Sequence, residues 1–222
     1  MADNRIVPPK KEEEREDWLL SYADMITLLL AFFALLLSMS KIDPVKYEQV
    51  QGGMAKDIGK REGATPIDQL KNEMSELLSG LKIDESKISL GTDDRGIMLE
   101  FDAGTLFDPG SAKLKPAMLG ALDKMAAMLD GPRYSAFQVE VDGNTDDRPF
   151  SSPEYASNWE LSAARASAVV RYFIAKGMAP MRLSAIGYAD TRPKVSNRDA
   201  AGNPLPQNEA INNRVTVHVT PR

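Results

Sequence analysis

The sequence predicts an α+β protein: one membrane-spanning helix followed by one soluble β-α-β-α-β-β domain. Three observations carry this reading. Residues 18–39 form a long apolar run, apolar residues alternate with polar ones in short segments beyond residue 95, and two longer segments between those carry apolar residues at helical spacing. Of 222 residues 27% are charged, and the net charge of −5 leaves no basic footprint for nucleic acid. Cysteine is absent, which excludes a disulfide framework and a thiolate zinc site.

Residues 1–17, with Lys10, Lys11, Glu12, Glu13, Glu14 and Arg15, read as a short solvated tail. The run that follows is long enough to span a membrane, because at about 1.5 Å per residue it covers the roughly 30 Å hydrocarbon core. Asp24 lies inside it. A carboxylate at mid-helix costs about 2.5 to 3.5 kcal/mol on insertion scales, and somewhat less nearer one end, so an intramembrane acid points to a protonatable or ion-binding site facing protein. Ser21, Asp24, Thr27, Ala31, Ala34 and Ser38 recur at spacings of 3 and 4 and share one face. Such a stripe of small and weakly polar residues suits packing against another membrane helix, since a single helix cannot enclose an ion path. A cleaved signal peptide is the competing reading. The run exceeds the usual apolar core of such peptides, of about 7 to 15 residues, and it contains Asp24. Lysine and arginine flank both ends, so charge alone leaves the orientation open.

Residues 40–60 contain Tyr47, Val50, Met54 and Ile58 at helical spacing, a short amphipathic segment weakened by Gly52 and Gly53. Residues 61–84 read as a linker holding a short helix. Thr65-Pro66-Ile67-Asp68 supplies an N-cap, a proline at the first helical position and an acid, and Ile67, Leu70, Met74, Leu77 and Leu81 continue at spacings of 3 and 4. That apolar face can pair with a second copy or pack on the following domain. The linker is short: residues 59–86 reach at most roughly 95 Å when fully extended, and far less while part of them is helical.

Residues 85–222 form the soluble domain. Ile97, Leu99 and Phe101 alternate with Met98 and Glu100 as a strand; residues 115–129 are a helix with Met118, Leu122, Met125 and Leu129 inward, stopped by Asp130-Gly131-Pro132. Phe137, Val139 and Val141 give a second strand, residues 158–176 a longer helix ended by Gly177, and residues 182–187 and 214–219 two further strands.

Polar chemistry concentrates in Val141-Asp-Gly-Asn-Thr-Asp-Asp-Arg-Pro149, a strand end entering a loop, and in Asn158-Trp-Glu-Leu-Ser-Ala-Ala-Arg-Ala166, a helix start. Leu161 and Arg165 lie one turn apart, so Arg165 can point back toward Asp146. An acid and a guanidinium bracketing a crevice suit a zwitterionic ligand, the acid taking an ammonium and the guanidinium a carboxylate. A purely structural Asp146–Arg165 ion pair fits the same residues.

Asn158-x-x-Leu161-Ser162-x-x-Arg165-Ala166-x-x-Val169, with Gly143-Asn144-Thr145-Asp146 before it and Gly187-Tyr188-Ala189-Asp190-Thr191-Arg192-Pro193 after it, resembles the OmpA-like peptidoglycan-binding domain. The resemblance covers about residues 95–220 and implies a mixed sheet with helices on one face. It also implies that Asp146 and Arg165 hold the diaminopimelate of a peptidoglycan stem peptide, with Thr145, Asn158 and Leu161 as pocket walls. Two positions depart from the family pattern: Asn144 stands where a histidine is common, and Asn213 precedes Arg214 where an arginine is more usual.

Trp18-Leu-Leu-Ser-Tyr-Ala-Asp24-Met-Ile-Thr27, followed by Phe32, Phe33 and Ser38-Met39-Ser40, resembles the membrane segment of the B-type flagellar stator subunits, the MotB and PomB family. Asn158-Trp159-Glu160-Leu161-Ser162 is similar to the same group. The resemblance implies that Asp24 binds the transported ion, H+ or Na+, without another cofactor, and that a MotA- or PomA-type subunit completes the channel. It further implies a homodimer in the inner membrane, with residues 1–17 cytoplasmic, residues 40–60 in the place of the family's plug, and a periplasmic C-terminal domain. Tyr22 beside Asp24 leans toward protons. The alternative is a non-motor envelope protein, either a Tol/Exb-like energiser or a passive OmpA-like wall anchor. No enzyme is expected: His218 alternates with core valines, and Asp146-Asp147 has no second convergent acid visible in the sequence.

Overall fold

A computed structural model describes residues 17–39, 65–80, 87–93 and 95–221. The chain divides into two compact units, residues 1–42 and 43–222. Within the first, α1 (Asp17–Met39) is a helix of 23 residues, of which Trp18–Ser38 has a mean hydropathy of 2.1 and is long and apolar enough to cross a membrane. Its large apolar side chains, among them Trp18, Leu28, Phe32 and Leu37, are exposed on the isolated helix, a distribution that suits lipid far better than water. Asp24 sits on this helix, and the Thr27 hydroxyl donates to the Asp24 backbone carbonyl at 2.8 Å. Tyr47, Val50, Met54 and Ile58 lie outside the described residues.

The second unit comprises α2 (Pro66–Ser79), β1 (Ile88–Thr92), β2 (Ile97–Asp102), α3 (Ala103–Leu106), α4 (Pro116–Asp130), β3 (Phe137–Asn144), α5 (Asn158–Ala175), β4 (Leu183–Ala189), α6 (Pro206–Asn212) and β5 (Arg214–Pro221). Its strands form one five-stranded sheet in the order β1-β2-β5-β3-β4. β3 and β4 are parallel and joined through α5, and the remaining neighbours are antiparallel, so the sheet is mixed as expected. The β-α-β-α-β-β series is present, with β1, α3 and α6 added to it. β1 was hard to read because Gly91 interrupts its alternation, and α6 has only seven residues, too few for a helical period.

Period-2 alternation places Leu99, Phe101, Val139, Val141, Val215, Val217 and Val219 on one buried face. The same core contains Met118, Leu122, Met125 and Leu129 of α4 and Ala166, Val169 and Phe173 of α5. Ile67, Leu70 and Met74 of α2 join it too, so the linker helix packs on its own domain. Its start is held by a reciprocal cap: the Asp68 amide donates to the Thr65 hydroxyl at 3.1 Å, and the Thr65 amide donates back to the Asp68 carboxylate at 3.3 Å. Arg133 pairs with Glu73 at 2.6 Å on the outer side of that contact.

Two glycines let α5 approach the sheet closely. A Cβ on Gly143 would lie 2.1 Å from the Ser162 carbonyl oxygen, and one on Gly187 would lie 2.6 Å from the Ala163 nitrogen. Ser162 then reaches β4, where its hydroxyl accepts from the Ala189 amide at 3.1 Å. Ala189 takes a left-handed φ of 49°, and the β3–β4 register slips at Gly143/Asn144. The two parallel strands thus end in an irregular, helix-pinned corner from which the 145–157 loop departs.

Candidate functional site

The corner delivers Asn144, Thr145 and Asp146, all buried, to the first turns of α5. Ser157 caps that helix by accepting from the Trp159 amide at 3.1 Å. Asn158 ties the helix start to the loop, its side-chain amide donating to the Arg148 carbonyl at 2.8 Å. Between loop, helix and α6 opens a cavity of about 560 Å3, lined by Asp146, Arg148, Asn158, Leu161, Arg165 and Asn213 together with Asp102, Phe150 and Ala210. Of the residues expected at the site, Asp146, Arg165, Asn158 and Leu161 therefore meet around one space. Thr145 lies behind the wall: its amide donates to the Ala189 carbonyl at 2.8 Å and its hydroxyl to the Asp146 carbonyl at 2.9 Å, which fixes the backbone that carries Asp146.

Arg165 is 6% exposed and stands with its guanidinium carbon 5.5 Å from the Phe107 ring centroid. Its Nε donates to the Ser111 carbonyl at 3.0 Å, the one hydrogen bond this side chain makes among the described residues. Both terminal nitrogens are thus left for a partner in the cavity. Burial pulls its pKa down, while Tyr155, Asp102 and Asp146 pull it up. An arginine starts so high that it stays charged at neutral pH. The result is a preoriented, incompletely bonded fork, suited to a planar carboxylate.

Asp146 is not paired with Arg165. Its Oδ2 accepts from Arg148 Nη2 at 2.6 Å and Arg148 Nε at 3.0 Å, its Oδ1 accepts from the Arg148 amide at 2.9 Å, and Asn213 Nδ2 donates to Oδ2 as well. The expected approach of Arg165 to Asp146 is replaced by this shorter link, because Arg148 is only two residues away and needs no reach across the cavity. Arg148 also stands 3.4 Å from Glu209 on α6, and Asp146 raises its pKa. Sequence reasoning missed Arg148 and Glu209. The Asp-x-Arg spacing in the loop was a usable signal for the first, whereas Glu209 arrives from more than sixty residues away in a helix too short to read. The two departures from the family pattern differ in outcome: Asn213 contacts Asp146 directly, while the buried Asn144 Oδ1 has no hydrogen-bond partner among the described residues.

His218 belongs elsewhere. On the sheet face opposite the apolar core it lies 3.2 Å from Asp142, 3.3 Å from Asp93 and 2.7 Å from Arg95 Nη2, a partly buried polar cluster that does not line the cavity.

Comparison with known proteins explains this pairing of a membrane helix and a cavity-bearing domain. Residues 106–205 match the OmpA family, and residues 4–58 match the family described as membrane MotB of the proton-channel complex MotA/MotB. The chain belongs to the MotB family. Among its relatives is the uncharacterized protein YtxE of Bacillus subtilis (strain 168), 33% identical over 85% of this chain and 84% of that protein. Motility protein B of the same organism is 26% identical over 96% of this chain and 94% of its own length. Among solved structures, a putative MotB-like protein from Desulfovibrio vulgaris superposes with a TM-score of 0.60 at 29% identity, covering 70% of this chain and 91% of that one. This MotB-family chain thus joins a MotB-type membrane segment, which contains Asp24, to an OmpA-family domain, which contains the Asp146 and Arg165 cavity.

Proposed function

We propose that the chain is the ion-conducting, wall-anchored B-type subunit of a flagellar stator. Asp24 carries H+ or Na+ along a path completed by a MotA-type partner, with the Ser21, Thr27, Ala31 and Ala34 stripe as the packing face. Two copies join in one stator, the amino end faces the cytoplasm, and the OmpA-like domain lies in the periplasm. There the cavity takes the diaminopimelate of a stem peptide, Arg165 on its carboxylate and Asp146 on its ammonium. The site binds and does not catalyse.

The observation that carries this reading is the incompletely bonded Arg165 fork facing the same space as Asp146, in a chain whose other end carries an intramembrane acid. The two halves need each other. One elementary charge crossing 100 mV releases about 2.3 kcal/mol, enough to bias a conformational step, but an unanchored stator would turn itself and do no work on a rotor. A mere wall tether has no use for Asp24, and a Tol/Exb-like energiser has no use for the cavity.

Co-sedimentation of the full-length protein with purified sacculi tests the anchor. Wild type should pellet with the wall, and Arg165→Ala should lower the bound fraction at least about tenfold, the loss expected when one partner of a desolvated charge pair is removed. Equal binding by Arg165→Ala would remove the cavity from the account.

A further inference from the structure

Arg148 stands where the reading above puts the ligand's ammonium. Its side chain is 64% exposed, while the two carboxylates it touches, Asp146 and Glu209, are 6% and 4% exposed. A solvent-facing cation thus covers two buried acids. The fit is also uneven. Asp146 Oδ2 receives two Arg148 nitrogens at 2.6 and 3.0 Å, but Glu209 Oε2 is only approached at 3.4 Å, and the buried Glu209 Oε1 has no hydrogen-bond partner among the described residues. A buried carboxylate oxygen left without a donor is costly, and it signals a missing partner. Arg148 is not the partner Glu209 requires, since a side chain tethered two residues from Asp146 serves Asp146 first.

We propose that Arg148 is an internal occupant of the ammonium subsite, displaced by the ligand's own ammonium, and that its departure uncovers Glu209 as a second carboxylate for that ammonium. This rests on the stem-peptide reading of the cavity. An ammonium has three donors on a compact head, so it can sit between Asp146 and Glu209 as the flat, tethered guanidinium does not. Displacement leaves the loop intact. Asp146 Oδ1 keeps the Arg148 backbone amide at 2.9 Å, Asn213 still holds Oδ2, and Asn158 still holds the Arg148 carbonyl at 2.8 Å. The freed guanidinium returns to the solvent that already surrounds most of it. Ligands lacking the ammonium cannot replace Arg148 and gain nothing from Asp146 and Glu209, so the contact favours a zwitterion over a simple carboxylate held by Arg165 alone.

The test titrates the tripeptide L-alanyl-γ-D-glutamyl-meso-diaminopimelate into full-length protein held in detergent micelles. Arg148→Ala should bind about tenfold more tightly than wild type, because the competing internal cation is gone. In that background Glu209→Gln should weaken binding about tenfold, whereas in wild type it should change affinity by less than about threefold, since it loosens Arg148 and the ligand alike. Arg148→Ala binding no better than wild type would overturn the proposal, as would an equal Glu209→Gln loss in both backgrounds. If the Glu209 variant does not fold, the Arg148→Ala arm decides alone. Arg165→Ala separates the two levels: binding that survives it rejects the stem-peptide cavity, while binding that needs Arg165 but is indifferent to Arg148 rejects only the displacement.

Discussion

At the scale of single residues, the cavity depends on two kinds of residue, those that line it and those that let its walls come together. Gly143 is of the second kind. A methyl group there would overlap the Ser162 carbonyl, so Gly143→Ala should force α5 off the sheet and destabilise the domain by several kcal/mol, on the order of the large values reserved for strained core positions. Thermal unfolding of wild type and variant measures this, and an unchanged melting temperature would show that the helix can shift at little cost. Residue identity was legible where a local motif marked it: Asp146, Asn158, Leu161 and Arg165 all meet at the cavity. Partnership was not. The Asp146–Arg148 link is local, but the Glu209 approach and the Asn213 contact are set by distances between elements far apart in sequence.

At the scale of elements, periodic apolar faces were readable and short pieces were not. The faces of α4, α5 and β5 pack as their spacing predicts, whereas α6 brings Glu209 up to Arg148 in a helix of seven residues that has no period to read. The linker helix α2 is the element whose placement sequence left open, because an amphipathic stripe identifies a buried face without naming what buries it. Met74 is fully buried in the domain core, so Met74→Ala should cost about 2 to 5 kcal/mol by calorimetry or denaturant titration of the folded domain. Yet the tether of residues 59–86 is short, and we predict that α2 undocks when the domain engages the wall. An engineered disulfide between α2 and α4 should then abolish anchoring and motility, with both restored by reductant; unaltered motility with the crosslink formed would reject undocking. Between α4 and α5, Asp123 accepts from Tyr172 at 2.6 Å and pairs with Lys176 at 2.7 Å, and Lys176, then Tyr172, hold its pKa below the ordinary carboxylate range. A lowered folded-state pKa contributes stability above the unfolded value and loses it as pH falls through the folded one. Melting curves of wild type and Asp123→Asn should accordingly converge on acidification, by a small amount suited to so exposed a pair.

At the scale of the whole molecule, the chain joins an ionisable group in a membrane helix to a cavity in a second compact unit. The MotB-family and OmpA-family matches fall on those two parts in that order. In the proposed function neither part suffices alone: an ion path at Asp24 without an anchor would have no mechanical effect, and the cavity without Asp24 would be a passive hook. The central claim is therefore that ion passage at Asp24 drives motion. The most direct measurement is swimming speed in cells that carry this chain and its MotA-type partner as their sole stator, comparing wild type with Asp24→Asn across sodium concentrations and with a proton uncoupler. Asp24→Asn cells should assemble the stator but be immotile, and wild-type speed should follow one of the two ions. Swimming by Asp24→Asn cells at wild-type speed would contradict it.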